Sequence, residues 1–320
     1  MLRIPRTALV WKPLGKTPLE TVGAFRRGEV RRFGVHLSPK ALLEKVLGSA
    51  SMYGGIVEAS TRLFSRRLFV PNATVIPLDT PIAYAGRLDP MAQGVMILLL
   101  GEECKNKEHY MGLDKVYEFQ VLVGFSTDTY DLLGLIVSIA SSKEGFERSS
   151  DFLAKFFGKL GQPISNPCLD SALELQKILD QFVGTFTQKY PSFSSKAVGG
   201  KQLFQLSRDS ELPSELPEHE VIITKLECIS MLKLTNDELQ KEIVRRIGLV
   251  HGDFRQDEII KKWNEVLKES NETEFTIFTC VAECSSGTYI RQLVADLSEK
   301  IGIPLVTYAI KRTRVGGYSI

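Results

Sequence analysis

The sequence predicts a globular protein that combines β-strands with α-helices, and three observations support this prediction. The chain has 320 residues, of which 43% are hydrophobic and 24% charged, a balance typical of globular proteins with a substantial core. Over residues 116–121, Tyr117, Phe119 and Val121 alternate with Val116, Glu118 and Gln120, which is the period of a half-buried strand. In residues 290–301 apolar side chains recur every three or four positions, as on one face of an amphipathic helix.

Strand-like and helix-like segments follow one another along the chain. The predicted strands cover residues 7–11, 95–100, 116–121, 221–226 and 275–283. One predicted helix begins at Thr17, and others cover residues 172–182, 237–247, 257–267 and 290–301. The first two helices open with capping boxes at Thr17–Glu20 and Ser171–Glu174, in which two side chains satisfy free backbone N–H groups. Pro18, at the first helical position, also favours a helix start.

Composition excludes several classes of protein. The longest apolar run, Val95–Leu100, is far too short to span a bilayer, and the N-terminus lacks the apolar core of a signal peptide. We therefore expect a cytoplasmic protein. Neither the four histidines nor the five cysteines show the spacing of a zinc site or a disulfide framework, so we expect no metal and reduced thiols at Cys104, Cys168, Cys228, Cys280 and Cys284.

The formal net charge is only +2, so no global basic field indicates a nucleic-acid partner. Any site for RNA must arise from local clusters of lysine and arginine. Two such clusters occur early in the chain, although a solvated charged face is the alternative interpretation: Arg26, Arg27, Arg31 and Arg32, and then Arg62, Arg66 and Arg67.

The stretch from Tyr84 to Gly94 is the strongest candidate for a functional loop. Gly86 and Gly94 permit backbone angles that other residues resist, and Pro90 restricts Asp89 to extended conformations. The Asp89 carboxylate is thereby held on a stiff hinge in front of a buried strand, as a nucleophile would be. A simple turn at Asp-Pro is the alternative.

Residues 86–94, G-R-L-D-P-M-A-Q-G, resemble the G-x-L-D-P-x-A-x-G signature of the TruB family of tRNA pseudouridine synthases. Residues 124–134 match the family's G-x-x-T-D-T-x-D-x-x-G pattern, and residues 284–291 resemble its C-S-x-G-T-Y-I-R motif. Shorter resemblances occur at residues 12–17, 115–117, 188–201 and 311–318. Together they extend from Lys12 to Tyr318, nearly the whole chain.

The resemblance implies an α+β protein with the pseudouridine synthase fold, a mixed, mostly antiparallel sheet flanked by helices and loops. It also implies a single catalytic domain over residues 1–320. We interpret segments near 27–81 and 231–274 as insertions. We expect no C-terminal PUA-like RNA-binding domain, which many bacterial members carry, because no residues remain to build one.

The activity implied by the resemblance is isomerisation of uridine to pseudouridine in the T arm of tRNA, usually at position 55. Uracil is detached from its ribose, rotated and reattached through C5, with no net redox change. We therefore expect tRNA as the partner, and no cofactor, no metal, no membrane and no obligatory protein partner.

The resemblance also implies roles for individual side chains. Asp89 would be the nucleophile, and Arg291 would pair with it and orient it. Tyr117 would stack on the flipped base or, through its hydroxyl, help to remove a proton. Tyr289 and the backbone around Thr313 would line the uracil pocket. Further substrate-binding candidates are Lys12 and Lys196, as phosphate contacts, and Tyr84 and Arg87, which replace the family's usual histidine and its alanine or threonine.

Several of these residues have a plainer interpretation. Tyr117 fits the core face of a strand, Arg291 fits a solvated surface, and so does Lys196. The Thr-Asp-Thr segment is interpreted as a polar structural turn, which gives no reason to place Asp128 or Asp131 at the site.

Three rival functions remain. A non-catalytic tRNA-binding or tRNA-folding module on the same fold would have no need of Asp89, Tyr117 and Arg291 together. A sugar-active hydrolase would need a second acid near Asp89. A guide-RNA-dependent synthase is also possible, although no feature of the sequence requires partner proteins.

Overall fold

The computed structural model describes residues 6–29, 79–140, 171–270 and 272–319. Most of the segment 27–81 that we interpret as an insertion lies outside these ranges. The same holds for six residues named above: Arg31, Arg32, Arg62, Arg66, Arg67 and Cys168.

Strands and helices alternate along the described residues. The strands are β1 (Thr7–Lys12), β2 (Ile82–Ala85), β3 (Ala92–Leu100), β4 (Lys115–Val123), β5 (Phe125–Thr127), β6 (Ile136–Ile139), β7 (Gly184–Lys189), β8 (Ala197–Val198), β9 (Lys201–Gln202), β10 (Glu218–Thr235), β11 (Glu274–Cys284), β12 (Leu305–Val315) and β13 (Tyr318–Ser319). The helices are α1 (Pro18–Arg26), α2 (Lys107–Met111), α3 (Ala172–Leu179), α4 (Leu203–Arg208), α5 (Asn236–Gly248), α6 (Gln256–Glu269) and α7 (Ile290–Ile301). Short 3-10 turns follow β3 and α3, at Gly101–Asn106 and Asp180–Phe182.

One nine-stranded sheet organises the molecule, with the order β1-β3-β12-β4-β11-β10-β7 and with β2 and β13 added to β3 and β12. The pairing of β12 with β3 is parallel, and every other pairing in this sheet is antiparallel. The predicted fold class, a mixed and mostly antiparallel sheet with flanking helices, is confirmed.

Helices cover both faces of the sheet. Alternate residues of β4, including Tyr117, Phe119 and Val121, share a core with the apolar faces of α3 and α7. Leu122, on the opposite face of β4, packs with α5 and α6. Burial on both sides explains why the central strands contain so few exposed side chains.

The predicted elements agree with the structure except at β10. The capping box at Thr17 is present in both halves, and Ser171 caps α3 by accepting the N–H of Glu174 at 3.3 Å. The predicted strand 221–226 is too short, because β10 continues to Thr235 along β11. Most side chains in that extension are exposed, so the alternation that indicates a half-buried strand is lost. None of the helices in the described parts of the chain combines the length and the apolar character needed to cross a bilayer.

Candidate active site

Asp89 lies in the loop between β2 and β3, where the chain enters the sheet. The carbonyl of Asp89 accepts the N–H of Ala92 at 3.0 Å, and the carbonyl of Pro90 accepts the N–H of Gly15 at 2.9 Å. These bonds fix the backbone around the carboxylate, whose side chain is 40% exposed. Asp89 is therefore both held in place and open to a ligand.

Arg291 reaches Asp89 from the first turn of α7 and is only 4% exposed. Its Nε donates to Asp89 Oδ2 at 2.8 Å, so the expected ion pair is present. Its other nitrogens donate to backbone carbonyls, Nη1 to Thr129 at 2.7 Å and Nη2 to Phe193 at 3.3 Å. Burial opposes the charge of Arg291, but Asp89 and Asp131 outweigh it and raise the pKa of the guanidinium. Arg291 therefore stays charged inside the protein.

Asp131 lies against the same guanidinium, with its Oδ2 3.7 Å from Arg291 Nε. Its other oxygen accepts the hydroxyl of Thr129 at 2.8 Å and the N–H of Leu133 at 3.0 Å. This placement corrects the interpretation of the β5–β6 turn, which gave no reason to bring Asp131 to the site. The turn is polar, but it folds its last aspartate back on to Arg291, and nothing in a single sequence indicates that fold-back.

The environment of Asp131 makes it an unusual carboxyl group. It is 6% exposed, and burial raises its pKa to about 6 although Arg291 opposes the shift. A buried carboxyl whose oxygens face Thr129, Leu133 and Arg291 does not face a sugar beside Asp89. The structure therefore does not supply Asp131 as the second acid that a hydrolase would need.

Tyr117 is buried beside the loop, in the core cluster that also contains Leu88 and Ile290. In the sheet it stands opposite Ala282 on β11 and Arg312 on β12. Burial raises the pKa of its phenol, and nearby Arg312 only partly offsets the effect. Tyr117 therefore keeps its proton at neutral pH.

Arg312, on β12, supports the backbone of the loop that carries Asp89. The sequence analysis did not assign a role to this residue. This buried side chain donates from Nε to the carbonyl of Val95 at 2.8 Å, and from its other nitrogens to Arg87 at 3.2 Å and Gly86 at 3.3 Å. A Cβ added at Gly94 would come within 2.2 Å of the Arg312 carbonyl oxygen, so the two strands touch there. The neighbouring Thr313 donates to the carbonyl of Val116 at 3.2 Å.

The structure corrects the prediction that Lys12 contacts a phosphate, because this residue does not reach the surface. Its side chain is fully buried and its Nζ donates to the carbonyls of Ala92 at 2.5 Å and Pro13 at 3.2 Å. Burial lowers its pKa to about 8, although Asp89 acts in the opposite direction. Lys12 thus supports the backbone that carries Asp89.

Tyr289, at the start of α7, is held by a polar and an aromatic neighbour. The Gln188 amide makes two hydrogen bonds with the Tyr289 backbone, of 2.9 and 3.2 Å. The ring of Tyr190 contacts Tyr289 edge-on at 5.7 Å, and the Nζ of Lys196 lies 4.8 Å from the centroid of Tyr190. Burial raises the pKa of Tyr289 to about 12, and Asp89 adds to the shift.

The remaining two candidates lie on β2 and the loop that follows it. Arg87 is exposed at the start of the loop, where its guanidinium is available to a ligand. Tyr84 packs against the cluster that contains Phe25 and Met96, which is separate from the cluster that contains Tyr117, and Lys107 lies over its ring at 5.7 Å. A role in substrate binding stays a prediction for both residues.

The site presents an accessible carboxylate, an enclosed guanidinium and a neutral phenol. In the described part of the chain no three histidine, cysteine or acidic side chains are grouped so as to hold a metal ion. The chemistry that these groups support is nucleophilic attack by Asp89, with Arg291 stabilising its charge.

Comparison with known proteins gives a match to one family model. Residues 79–174 and 169–246 match the model described as "TruB family pseudouridylate synthase (N terminal domain)". These residues contain the Asp89 loop, the turn that carries Asp131, and Lys196.

Curated relatives carry the name tRNA pseudouridine synthase B. The protein from Lactobacillus delbrueckii subsp. bulgaricus is 27% identical over 75% of this chain and 60% of its own length. The Bacillus pumilus protein is 28% identical over 75% of this chain and 57% of its own, and the Staphylococcus saprophyticus protein is 26% identical over 84% and 68%. The chain thus spans about 60% of the length of the relatives it matches. A solved Cbf5-Nop10-Gar1 complex is similar at a TM-score of 0.42, with 13% identity over 98% of this chain and 50% of that one, which is too low to establish a common fold.

Proposed function

This chain belongs to the TruB family of pseudouridylate synthases, and we propose that it isomerises uridine to pseudouridine in the T arm of tRNA, at position 55. The observation that carries the proposal is the 2.8 Å ion pair between Asp89 and Arg291. Burying an arginine is costly unless its charge and hydrogen bonds are satisfied, and such a pair contributes little to stability. Its presence beside an accessible carboxylate is better explained by chemistry.

In the proposed reaction Asp89 attacks the substrate at either the ribose C1′ or the uracil ring. The C1′–N1 bond breaks, the base rotates, and a C1′–C5 bond forms. The bond between Asp89 and the substrate then breaks, and its electron pair returns to the carboxylate. C5 then loses its hydrogen as a proton, while N1 takes one up, so no oxidant or reductant is required. Arg291 orients the carboxylate throughout and compensates its charge.

The target uridine must leave its stack to reach Asp89. Unstacking costs a few kcal/mol, and contact with an aromatic ring offsets about 1–3 kcal/mol of that cost. We assign this contact to Tyr117 and the edge of the pocket to Tyr289 and Thr313. Because burial raises the pKa of Tyr117, this residue keeps its proton. It is therefore better suited to stack on the uracil ring or to donate a hydrogen bond than to accept a proton.

Phosphate contacts are assigned to Arg87 and Lys196, because both residues are exposed. Lys12 is left out of this assignment because it is buried. Such contacts would make RNA binding depend on salt concentration.

The test is tritium release from an unmodified tRNA transcript that carries 5-tritiated uridine. Forming a bond at C5 expels that hydrogen, so the protein should release about one equivalent per target site. The Asp89→Ala variant should release none while it binds the tRNA within a few-fold of the unaltered protein.

Two results would contradict the proposal. Undiminished release by Asp89→Ala would remove Asp89 as the nucleophile. Binding without any release by the unaltered protein would indicate a non-catalytic tRNA-binding module instead. Mapping the product to a position other than 55 would retain the reaction and correct the target.

A further inference from the structure

The connection between α5 and α6, residues 249–255, brings one arginine to the edge of the active site. Arg255 lies at the end of this connection, and its Nη1 donates to Asp128 Oδ2 at 2.9 Å. Its guanidinium carbon lies 5.2 Å from the centroid of the Phe193 ring. Arg255 thus contacts two segments that are distant in sequence, the β5–β6 turn and the loop that precedes β8.

These are the same two segments that hold Arg291. Arg291 donates to the carbonyl of Thr129, the residue after Asp128, and to the carbonyl of Phe193 itself. Asp128 in turn closes its own turn, since its Oδ1 accepts the N–H of Leu135 at 2.8 Å. One arginine therefore joins the two segments from inside the protein, and the other joins them from outside.

The backbone of Arg255 is strained in a way that places this side chain. It has φ 64° and ψ 27°, the left-handed conformation that non-glycine residues rarely adopt. It also occupies the N-cap of α6, where its side chain makes no capping hydrogen bond. Asparagine would suit both conditions better. Residues with such strained backbone conformations are often found at functional sites.

The connection between α5 and α6 is anchored by core packing and by a hydrogen bond. Helices α5 and α6 bury Ile243, Ile247, Ile259 and Trp263 in the core cluster that contains Phe125 of β5. The connection is also tied to α4, because Arg208 donates to the carbonyl of Asp253 at 2.6 Å. Arg255 is therefore anchored well enough to fix its two partners.

We propose that Arg255 is a positioning residue of the active site, which holds the Thr129 and Phe193 carbonyls where Arg291 requires them and so aligns Arg291 with Asp89. This role rests on the proposed function for its effect on turnover. Arg255 lies beyond residue 246, where the family match ends, so this support comes from the helical pair α5–α6 rather than from the matched segment.

The experiment compares Arg255→Asn with Arg255→Lys and a control, Arg245→Gln. Asparagine tolerates the left-handed backbone but removes the guanidinium, and lysine keeps a charge for Asp128 without the planar group over Phe193. Arg245 is an exposed arginine of α5 whose partner is Glu242 at 2.7 Å, so its loss removes a comparable ion pair away from the site.

For Arg255→Asn we expect kcat to fall by about tenfold to a hundredfold, because small displacements of a catalytic pair are costly. KM should stay within about threefold of the original value and the melting temperature should be unchanged or higher, since asparagine relieves backbone strain. Arg255→Lys should give an intermediate kcat, and Arg245→Gln should match the unaltered protein.

Amide hydrogen exchange in residues 190–196, measured without RNA, separates this proposal from the proposed function. Exchange should speed up in Arg255→Asn and not in Arg245→Gln. If the unaltered protein releases no tritium, the proposed function fails. The exchange result then still tests whether Arg255 holds the two segments in place. Unchanged exchange in Arg255→Asn, or unchanged kcat in an active enzyme, would overturn the positioning role, and a lower melting temperature would show that Arg255 serves stability.

Discussion

At the scale of single residues, the site contains two carboxylates that lie against the same guanidinium, that of Arg291. Arg291 lies between Asp89, whose side chain is 40% exposed, and Asp131, whose side chain is 8% exposed. Both carboxylates face Arg291, but only that of Asp89 is also open to a ligand. The two aspartates differ in environment rather than in chemistry.

Tyr117 can be tested by removing only its hydroxyl group. We predict that Tyr117→Phe binds tRNA within about twofold, because the ring still stacks, while single-turnover pseudouridine formation slows by about tenfold or more. The rate is measured with excess enzyme over labelled tRNA. An unchanged rate would make the hydroxyl dispensable and leave Tyr117 as a packing residue.

Asp131 predicts a pH dependence of stability. Burial raises its pKa from the ordinary 3.8 to about 6, so the folded protein prefers the neutral carboxyl. Its contribution to stability is therefore complete below pH 3.8 and lost as the pH rises through about 6.

The Asp131→Asn variant cannot ionise at this position and keeps an oxygen for Thr129 and Leu133. Its free energy of unfolding, relative to the unaltered protein, should rise between about pH 4 and pH 6 and then level off. The upper limit of this gain is about 3 kcal/mol, from a shift of about two pKa units. Urea denaturation at several pH values measures this gain. Taking the difference between the two proteins cancels the titration of other buried groups, such as Asp296, whose pKa is also raised by burial. Parallel pH profiles would show that Asp131 is not the titrating group.

At the scale of elements, the loop that carries Asp89 is held by its neighbours more than by itself. The turn after β1 bonds to Pro90 through the N–H of Gly15, and β12 supports Gly86 and Arg87 through Arg312. Gly15 also touches the end of α5, where a Cβ would come within 2.1 Å of the Leu249 carbonyl oxygen. Two distant elements thus hold the loop directly, and α5 packs against one of them at Gly15.

Gly15→Ala should therefore destabilise the protein more than the backbone conformation alone explains. Gly15 has φ +83°, and Gly28, with φ +76° and no atom within 4 Å of an added Cβ, is the matched control. Both variants incur the left-handed cost of about 1–2 kcal/mol. Gly15→Ala should lose at least about 2 kcal/mol more, measured by urea denaturation, because the Leu249 backbone must move. Equal losses would mean that the contact with α5 relaxes freely.

At the scale of the whole molecule, a net charge of only +2 leaves RNA binding to a few local cations. Arg87 and Lys196 are exposed, whereas many other lysines and arginines in the described part of the chain are engaged in ion pairs on exposed surfaces, such as Arg27 with Glu29. Association with tRNA should therefore depend on a small number of phosphate contacts.

Lys196→Gln tests this count of contacts. The slope of log Kd against log salt concentration for tRNA should decrease by about one unit, as expected for the loss of one phosphate contact. Lys261→Gln is the control, because Lys261 lies on α6 with a side chain that is 78% exposed and 4.0 Å from Glu265. Filter binding over a range of salt concentrations gives both slopes. The same slope in Lys196→Gln as in the unaltered protein would remove Lys196 from the RNA contacts.

The sequence by itself determined the kinds of elements and the hinge at Asp89. Periodicity is a local property, so the buried face of β4, the apolar faces of α3 and α7, and the cap at Thr17 were all predictable. The motifs also pointed to the pairing of Asp89 with Arg291, although the two residues are 202 positions apart.

Only the tertiary structure decided which polar side chains meet at the site and which are buried. Lys12 and Asp131 belong to a strand end and a turn that look solvent-exposed in the sequence, yet both side chains lie inside the protein. Arg312 and Arg255 reach the site through strand order and through the packing of α5 and α6. The burial and contacts of such side chains depend on elements distant along the chain, and a local pattern carries no information about them.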